Sequence, residues 1–281
     1  MLTADQPYVT LNDGSVMPQL GLGVWKASDG AEVENAVKTA IETGYRLIDT
    51  AMVYQNETGV GKAIRDSGVA RKELFITTKL WNSDQGSGNV RPALEASLRR
   101  LGLEYVDLYL IHWPMPGVGK FVETWKEFEI LQQEGLVRSI GVSNFRVEDL
   151  EELKKHSSVV PSVNQIELHP YLPQLELRNY ASEHGIYTES WSPIGGTKAN
   201  LLDEPVLEEL SMRYAKSPAQ IVIRWHIENG LIVIPKSVHE ARIKENFDVF
   251  DFHLSQDDIG QINSLENGRR LGADPSTMNL H

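Results

Sequence analysis

The chain has 281 residues, 41% of them hydrophobic and 23% charged, with a net charge of −12 and no cysteine. An acidic balance gives no global positive field to draw in nucleic acid or an anionic membrane. The absence of cysteine excludes a disulfide framework, a thiol nucleophile and a thiolate metal site.

The opening residues lack the basic stretch and apolar core of a secretory signal, and no apolar run is long enough to span a bilayer. A cytoplasmic protein is the expectation, working as a monomer on a small molecule, with residues 1–281 forming one domain. The first predicted element is a hairpin, because Asn12, Asp13 and Gly14 separate short apolar runs at 8–11 and 16–18. Strand-like runs then recur at 21–25, 46–50, 74–80, 106–112, 137–143, 163–169, 187–193 and 232–237. Helical periodicity fills the gaps, at 31–43, 90–101, 121–134, 147–155 and 175–183 among others. Gly44, Gly102, Gly135 and Gly185 follow helical stretches, where a left-handed cap is wanted.

Several strand runs are apolar throughout, as parallel strands covered on both faces must be. Eight strands alternating with helices predict an α/β fold, a (β/α)8 TIM barrel with an N-terminal β-hairpin on its floor. An open doubly wound sheet would carry a glycine-rich loop opening a helix after its first strand, and G-L-G-V-W lacks the third glycine.

In such a barrel the carboxyl ends of the strands share one rim, and active sites lie there. Asp49, Lys79 and His112 stand at the ends of three consecutive runs, and Tyr54 follows the first of them closely. An ammonium beside a phenol favours its ionised form, and a carboxylate behind the ammonium keeps it charged and oriented. The four suit protonation of an oxygen that becomes an alkoxide as a carbonyl is reduced, with His112 orienting that carbonyl. No histidine pair has the spacing of a metal-ligand motif, so no metal is expected. Trp25, Trp81 and Trp113 each follow a strand run directly, and are expected to wall the substrate pocket together with His112.

Three segments carry a resemblance to a known family: G-Y-R-L-I-D-T-A-M-V-Y-Q-N-E at 44–57, L-G-L-E-Y-V-D-L-Y-L-I-H-W-P at 101–114, and I-P-K-S-V-H-E-A-R-I-K-E-N-F at 234–247. In these the chain resembles the aldo-keto reductase superfamily over nearly its full length. It looks most like the microbial 2,5-diketo-D-gluconate and methylglyoxal reductases and the prostaglandin F synthases of trypanosomatids. The resemblance implies an NADPH-dependent oxidoreductase that reduces aldehydes, ketones and dicarbonyls, with Tyr54 as general acid assisted by Asp49, Lys79 and His112. It implies that Ser143, Asn144 and Gln165 hold the nicotinamide carboxamide while Trp191 stacks on the ring. Lys236, Ser237 and Arg242 would surround the 2′-phosphate at a helix start, with Val238 among the cofactor-binding residues and Glu245 and Asn246 reaching the adenine. The pyrophosphate is expected near residues 194–197. An NADPH-binding redox-sensing subunit without turnover is the alternative, and the complete proton-transfer group weighs against it.

Two departures from the family pattern stand out. Met52 occupies a position where alanine is usual, in the bend that presents Tyr54, and the tail after Asn267 is short. The short tail suggests an open, permissive pocket.

Overall fold

The computed structural model describes residues 6–196 and 199–280. Strands β1 (Tyr8–Thr10) and β2 (Val16–Pro18) form the antiparallel hairpin, with Val9 opposite Met17. Its turn uses Gly14 at φ +86°, and Asp13 accepts a hydrogen bond from the Ser15 amide. Eight parallel strands follow: β3 (Gly21–Gly23), β4 (Leu47–Asp49), β5 (Phe75–Leu80), β6 (Val106–Ile111), β7 (Val137–Ser143), β8 (Val163–Glu167), β9 (Tyr187–Trp191) and β10 (Ile232–Val233). They are hydrogen-bonded in sequence order from β3 to β10. Parallel bridges from Leu20 to Val233 and from Gly23 to Lys236 join the last strand to the first and close the barrel.

The connections are helical, as parallel strands require. They are α1 (Ala31–Thr43), α2 (Glu57–Asp66), α3 (Val90–Leu101), α4 (Phe121–Gln133), α5 (Val147–His156), α6 (Leu175–Glu183), α7 (Pro205–Tyr214), α8 (Pro218–Glu228), α9 (Glu240–Phe247) and α10 (Gln256–Asn263). Helices α7 and α10 stand outside the simple alternation. They share a second apolar cluster with α8 through Leu207, Leu210, Trp225, Ile259 and Ile262. Among the described residues, no helix is long and apolar enough to cross a membrane.

The barrel interior is stratified. Leu11 and Met17 of the hairpin region pack among Leu47, Phe75, Val163 and Ile232, the first residues of their strands. The hairpin therefore seals the amino-terminal end, as expected. Polar inward residues follow higher up, with Lys79 on β5, Asp49 on β4, Gln165 on β8 and Glu189 on β9.

Several strands are shorter than their apolar runs. The run at 232–237 pairs regularly over only two residues, because Pro235 has no amide to donate and the chain turns towards α9. Trp25, His112, Trp113 and His169 consequently stand just beyond the ladders, on the rim.

Gly61, inside α2, marks a close approach between helices. A Cβ there would lie 2.0 Å from the carbonyl oxygen of Leu101 at the end of α3. Alanine normally stabilises a helix relative to glycine, but here the obstacle is backbone and cannot rotate away. Gly61→Ala is expected to destabilise the protein by about 1–3 kcal/mol, measured as a lower urea midpoint. An unchanged or raised midpoint would show that the helices move apart freely.

Candidate active site

Strand β4 ends in Asp49, and the chain then runs through Thr50 into a 3-10 turn, Met52–Tyr54. Asn56, fully buried, anchors this bend. Its side chain donates to the carbonyls of Val24 and Ala27 at 3.0 Å each and accepts from the Thr50 hydroxyl at 2.8 Å. Met52 heads the turn, half-buried, and the bend presents Tyr54 to the rim regardless of it.

Lys79 has no solvent exposure, and its ammonium makes three contacts. It donates to Asp49 Oδ1 at 2.6 Å, to the Thr50 carbonyl at 3.0 Å and to the Tyr54 hydroxyl at 3.4 Å. Burial is the largest influence and lowers the lysine pKa, but Asp49, Tyr54 and Glu189 together outweigh it, and the net direction is upward. The ammonium is thus charged at neutral pH. Tyr54 departs from the sequence expectation in direction. Burial raises the phenol above its ordinary range, and the pull of Lys79 downward only partly offsets it, with Asp49 and Glu189 adding to the rise. The phenol is therefore a proton carrier at neutral pH, held next to a cation that stabilises its conjugate base.

His112 sits edge-on to both Tyr54 and Trp81, with ring centroids 5.8 and 5.2 Å away. Burial, and then the Lys79 charge, hold its pKa well below the usual histidine range, so the imidazole is neutral. Its Nδ1 is buried without a partner.

A second cluster adjoins the first. Asn144, at φ +63°, uses a conformation uncommon outside glycine. Its amide donates to the His112 carbonyl at 3.0 Å and to the Ser143 hydroxyl at 3.2 Å, and its oxygen accepts from the Trp191 indole at 2.9 Å. Ser143 donates to the backbone carbonyl of Gln165 at 2.8 Å. The Gln165 amide donates to Asp49 Oδ2 and to Glu189 Oε2, both at 2.8 Å. Trp191 keeps part of its ring exposed.

The structure thus brings Asp49, Tyr54, Lys79, His112, Ser143, Asn144, Gln165 and Trp191 into one connected group. Lys236, Ser237 and Val238 follow β10, and Arg242, Glu245 and Asn246 lie on α9. Lys236 and Arg242 are exposed, whereas Ser237 and Asn246 are buried. The Ser237 hydroxyl accepts from the His239 amide at 3.1 Å, at the start of that helix. Ile194, Gly195 and Gly196 follow β9, and Thr197 lies outside the described residues.

The tryptophans diverge. Trp81 packs on His112, while Trp25 is 51% exposed with the Lys26 ammonium over its ring. Trp113 is nearly buried, because Met115 and Met278 cover it. Met278 belongs to the tail, which folds back onto Trp113. Its anchor is Glu167, fully buried at the end of β8. That carboxylate accepts from the amides of Leu271 at 2.6 Å and Gly272 at 2.9 Å, and pairs with His169 at 3.0 Å. Gly272 lies so close to Trp191 that a Cβ would fall 2.3 Å from its ring.

Residues 19–267 match the Aldo/keto reductase family. The methylglyoxal reductase DkgA of Salmonella typhimurium is 54% identical over 97% of this chain and 98% of its own length. The 9,11-endoperoxide prostaglandin H2 reductase of Trypanosoma cruzi is 54% identical over 95% of this chain and 94% of its own. A crystal structure of a Gox0644 mutant in complex with NADPH superposes with a TM-score of 0.93 at 47% identity, covering 98% of this chain and all of that one.

Glu189 and Glu167 were not among the residues singled out from sequence. Alternation along a strand places Glu189, two residues before Trp191, on the same inward face, and that signal was available. Burial and the neighbouring Asp49 push the Glu189 carboxyl up to about 8. In the unfolded chain the same group titrates near 4.5. The folded state keeps its proton through that window, so stability is lost as pH rises from 4.5 towards 8. Glu189→Gln removes this titration and keeps an acceptor for Gln165. Its melting temperature relative to the parent should climb by a few degrees between pH 5 and pH 8. A difference that does not vary with pH would show that Glu189 does not titrate there.

Proposed function

Since the chain belongs to the Aldo/keto reductase family, we propose that it is an NADPH-dependent carbonyl reductase in which Tyr54 protonates the carbonyl oxygen of small aldehydes, ketones and dicarbonyls such as methylglyoxal. The Lys79 contact to Tyr54, backed by a buried Asp49, is the observation that carries this reading. DkgA relatives named as methylglyoxal reductases support the substrate class.

The residues present fit the cofactor. The Ser143, Asn144 and Gln165 cluster is polar where a carboxamide needs partners, and Trp191 leaves ring surface beside it for stacking. Lys236 and Arg242 present cations around the start of α9, with Ser237 between strand and helix, as a 2′-phosphate requires. When bound, the reduced nicotinamide supplies the hydride.

The chain's own residues do the rest. His112, neutral, offers an N–H to the carbonyl oxygen and so polarises and orients it without competing as an acid. Tyr54 delivers its proton to that oxygen as negative charge develops there. Lys79 then stabilises the phenolate, and Asp49 keeps Lys79 charged through the cycle. Trp81 covers His112 and helps keep water from the site. A subunit that only senses NADPH has no use for this proton donor.

Tyr54→Phe should retain NADPH affinity and lose reduction by roughly a hundredfold to ten-thousandfold, followed as NADPH absorbance with methylglyoxal and 2,5-diketo-D-gluconate. Undiminished turnover would remove Tyr54 from its role. Arg242→Ala should weaken NADPH by about tenfold more than NADH, measured by quenching of tryptophan fluorescence. Equal losses for both cofactors would displace the phosphate from Arg242.

A further inference from the structure

Glu189 is buried at the heart of the site, yet proton transfer makes no use of it. It lies directly across from Gln165 in the β8–β9 register and shares the inward face of β9 with Trp191. One of its oxygens, Oε2, takes a hydrogen from the Gln165 amide, and Asp49 Oδ2 takes the other. Two acceptors at one nitrogen settle which end of the Gln165 side chain points where. Among the described residues the Gln165 oxygen then accepts no hydrogen bond, and it is not among the buried polar atoms sealed without a partner, which makes it the accessible end of the amide.

Asn144 is set in a similar way. Both its amide hydrogens are taken, by the His112 carbonyl and the Ser143 hydroxyl, and the Trp191 indole occupies one lone pair of its oxygen. The Ser143 hydrogen goes to the Gln165 backbone. All the donors of this cluster are spent inside the protein. What it offers outward is acceptors, the Gln165 oxygen foremost.

We infer that Glu189 is a positioning residue for the cofactor ring: by holding the Gln165 amide with Asp49, it turns an acceptor towards the NH2 of the nicotinamide carboxamide. This rests on the NADPH-dependent reading above. It implies a preference for a ring substituent that donates hydrogen bonds over one of equal size that does not. The raised Glu189 carboxyl is compatible with the role, since a neutral carboxyl still accepts through its carbonyl oxygen.

The test compares binding of NADP+ with that of its 3-acetylpyridine analogue, which has a methyl group in place of the NH2. Titration calorimetry would be run on the full chain, with 2′-phospho-ADP-ribose as a ligand that lacks the ring altogether. The parent should favour NADP+ over the analogue by about fivefold, the effect of one buried hydrogen bond. Glu189→Leu should abolish that preference and leave 2′-phospho-ADP-ribose binding within about twofold, because only the ring end is disturbed. Glu189→Gln, which keeps an acceptor, should restore the preference. A parent without the preference overturns the proposal, and so does a leucine variant that retains it. Equal weakening of all three ligands by Glu189→Leu also overturns it, by revealing a general structural role. Should the leucine variant not fold, Glu189→Met gives the same comparison. A parent that binds none of the three ligands would instead defeat the NADPH reading itself.

Discussion

A lysine ammonium with no access to water is costly to maintain, and Asp49 is what makes Lys79 tenable inside this barrel. Removing one partner of such a pair leaves a buried charge uncompensated, at a cost of about 3–5 kcal/mol. Asp49 does more than neutralise. One of its oxygens meets Lys79 and the other meets Gln165. A single carboxylate thus joins Lys79 and Tyr54 to the amide cluster at which we propose the cofactor ring binds. The two halves of the chemistry are held in register by one side chain on a short strand.

The barrel makes this concentration of polar groups possible by dividing its interior. Its floor is apolar and sealed by the hairpin through Leu11 and Met17. Above it, charge and hydrogen-bonding capacity are gathered in one layer, where low dielectric strengthens every contact. The same environment holds His112 neutral and Tyr54 protonated. A neutral imidazole can donate to a carbonyl, and a protonated phenol can give its proton up. Burial, more than any single charge, sets both groups in the state that carbonyl reduction needs.

Much of this was legible in the order of residues. Strand runs ending in Asp49, Lys79 and His112 announced the rim, because parallel strands all point the same way. The hairpin was legible from Asp13 and Gly14, and the helix ends from their glycines. Three things were not. Strand lengths were overread, since apolar runs continue past the ladder wherever loops or tail cover the rim, as at Trp113. The direction of the Tyr54 shift is not legible in a motif, because desolvation depends on everything packed around the oxygen. The path of the tail is the third, because the partner that draws it in, Glu167, lies on a distant strand. A glutamate in a strand looks like any other until two amides more than a hundred residues away are found bonded to it.

That anchoring has a consequence for how such a protein diversifies. The barrel supplies Tyr54, Lys79 and the amide cluster at which we propose the nicotinamide binds, whereas Met278 supplies cover for Trp113. The segment is tied down near Trp191 by the amides of Leu271 and Gly272 and by Arg270, all on Glu167, and near its end by the Leu280 carbonyl, which accepts from Asn82. The residues beyond Gly272 meet the barrel at Trp113 and Asn82, so changes there act on the wall of the mouth rather than on Tyr54 or Lys79. One part of the wall of the mouth is thus set by a stretch of the polypeptide separate from the one that carries Tyr54 and Lys79, and selection can revise the first while conserving the second.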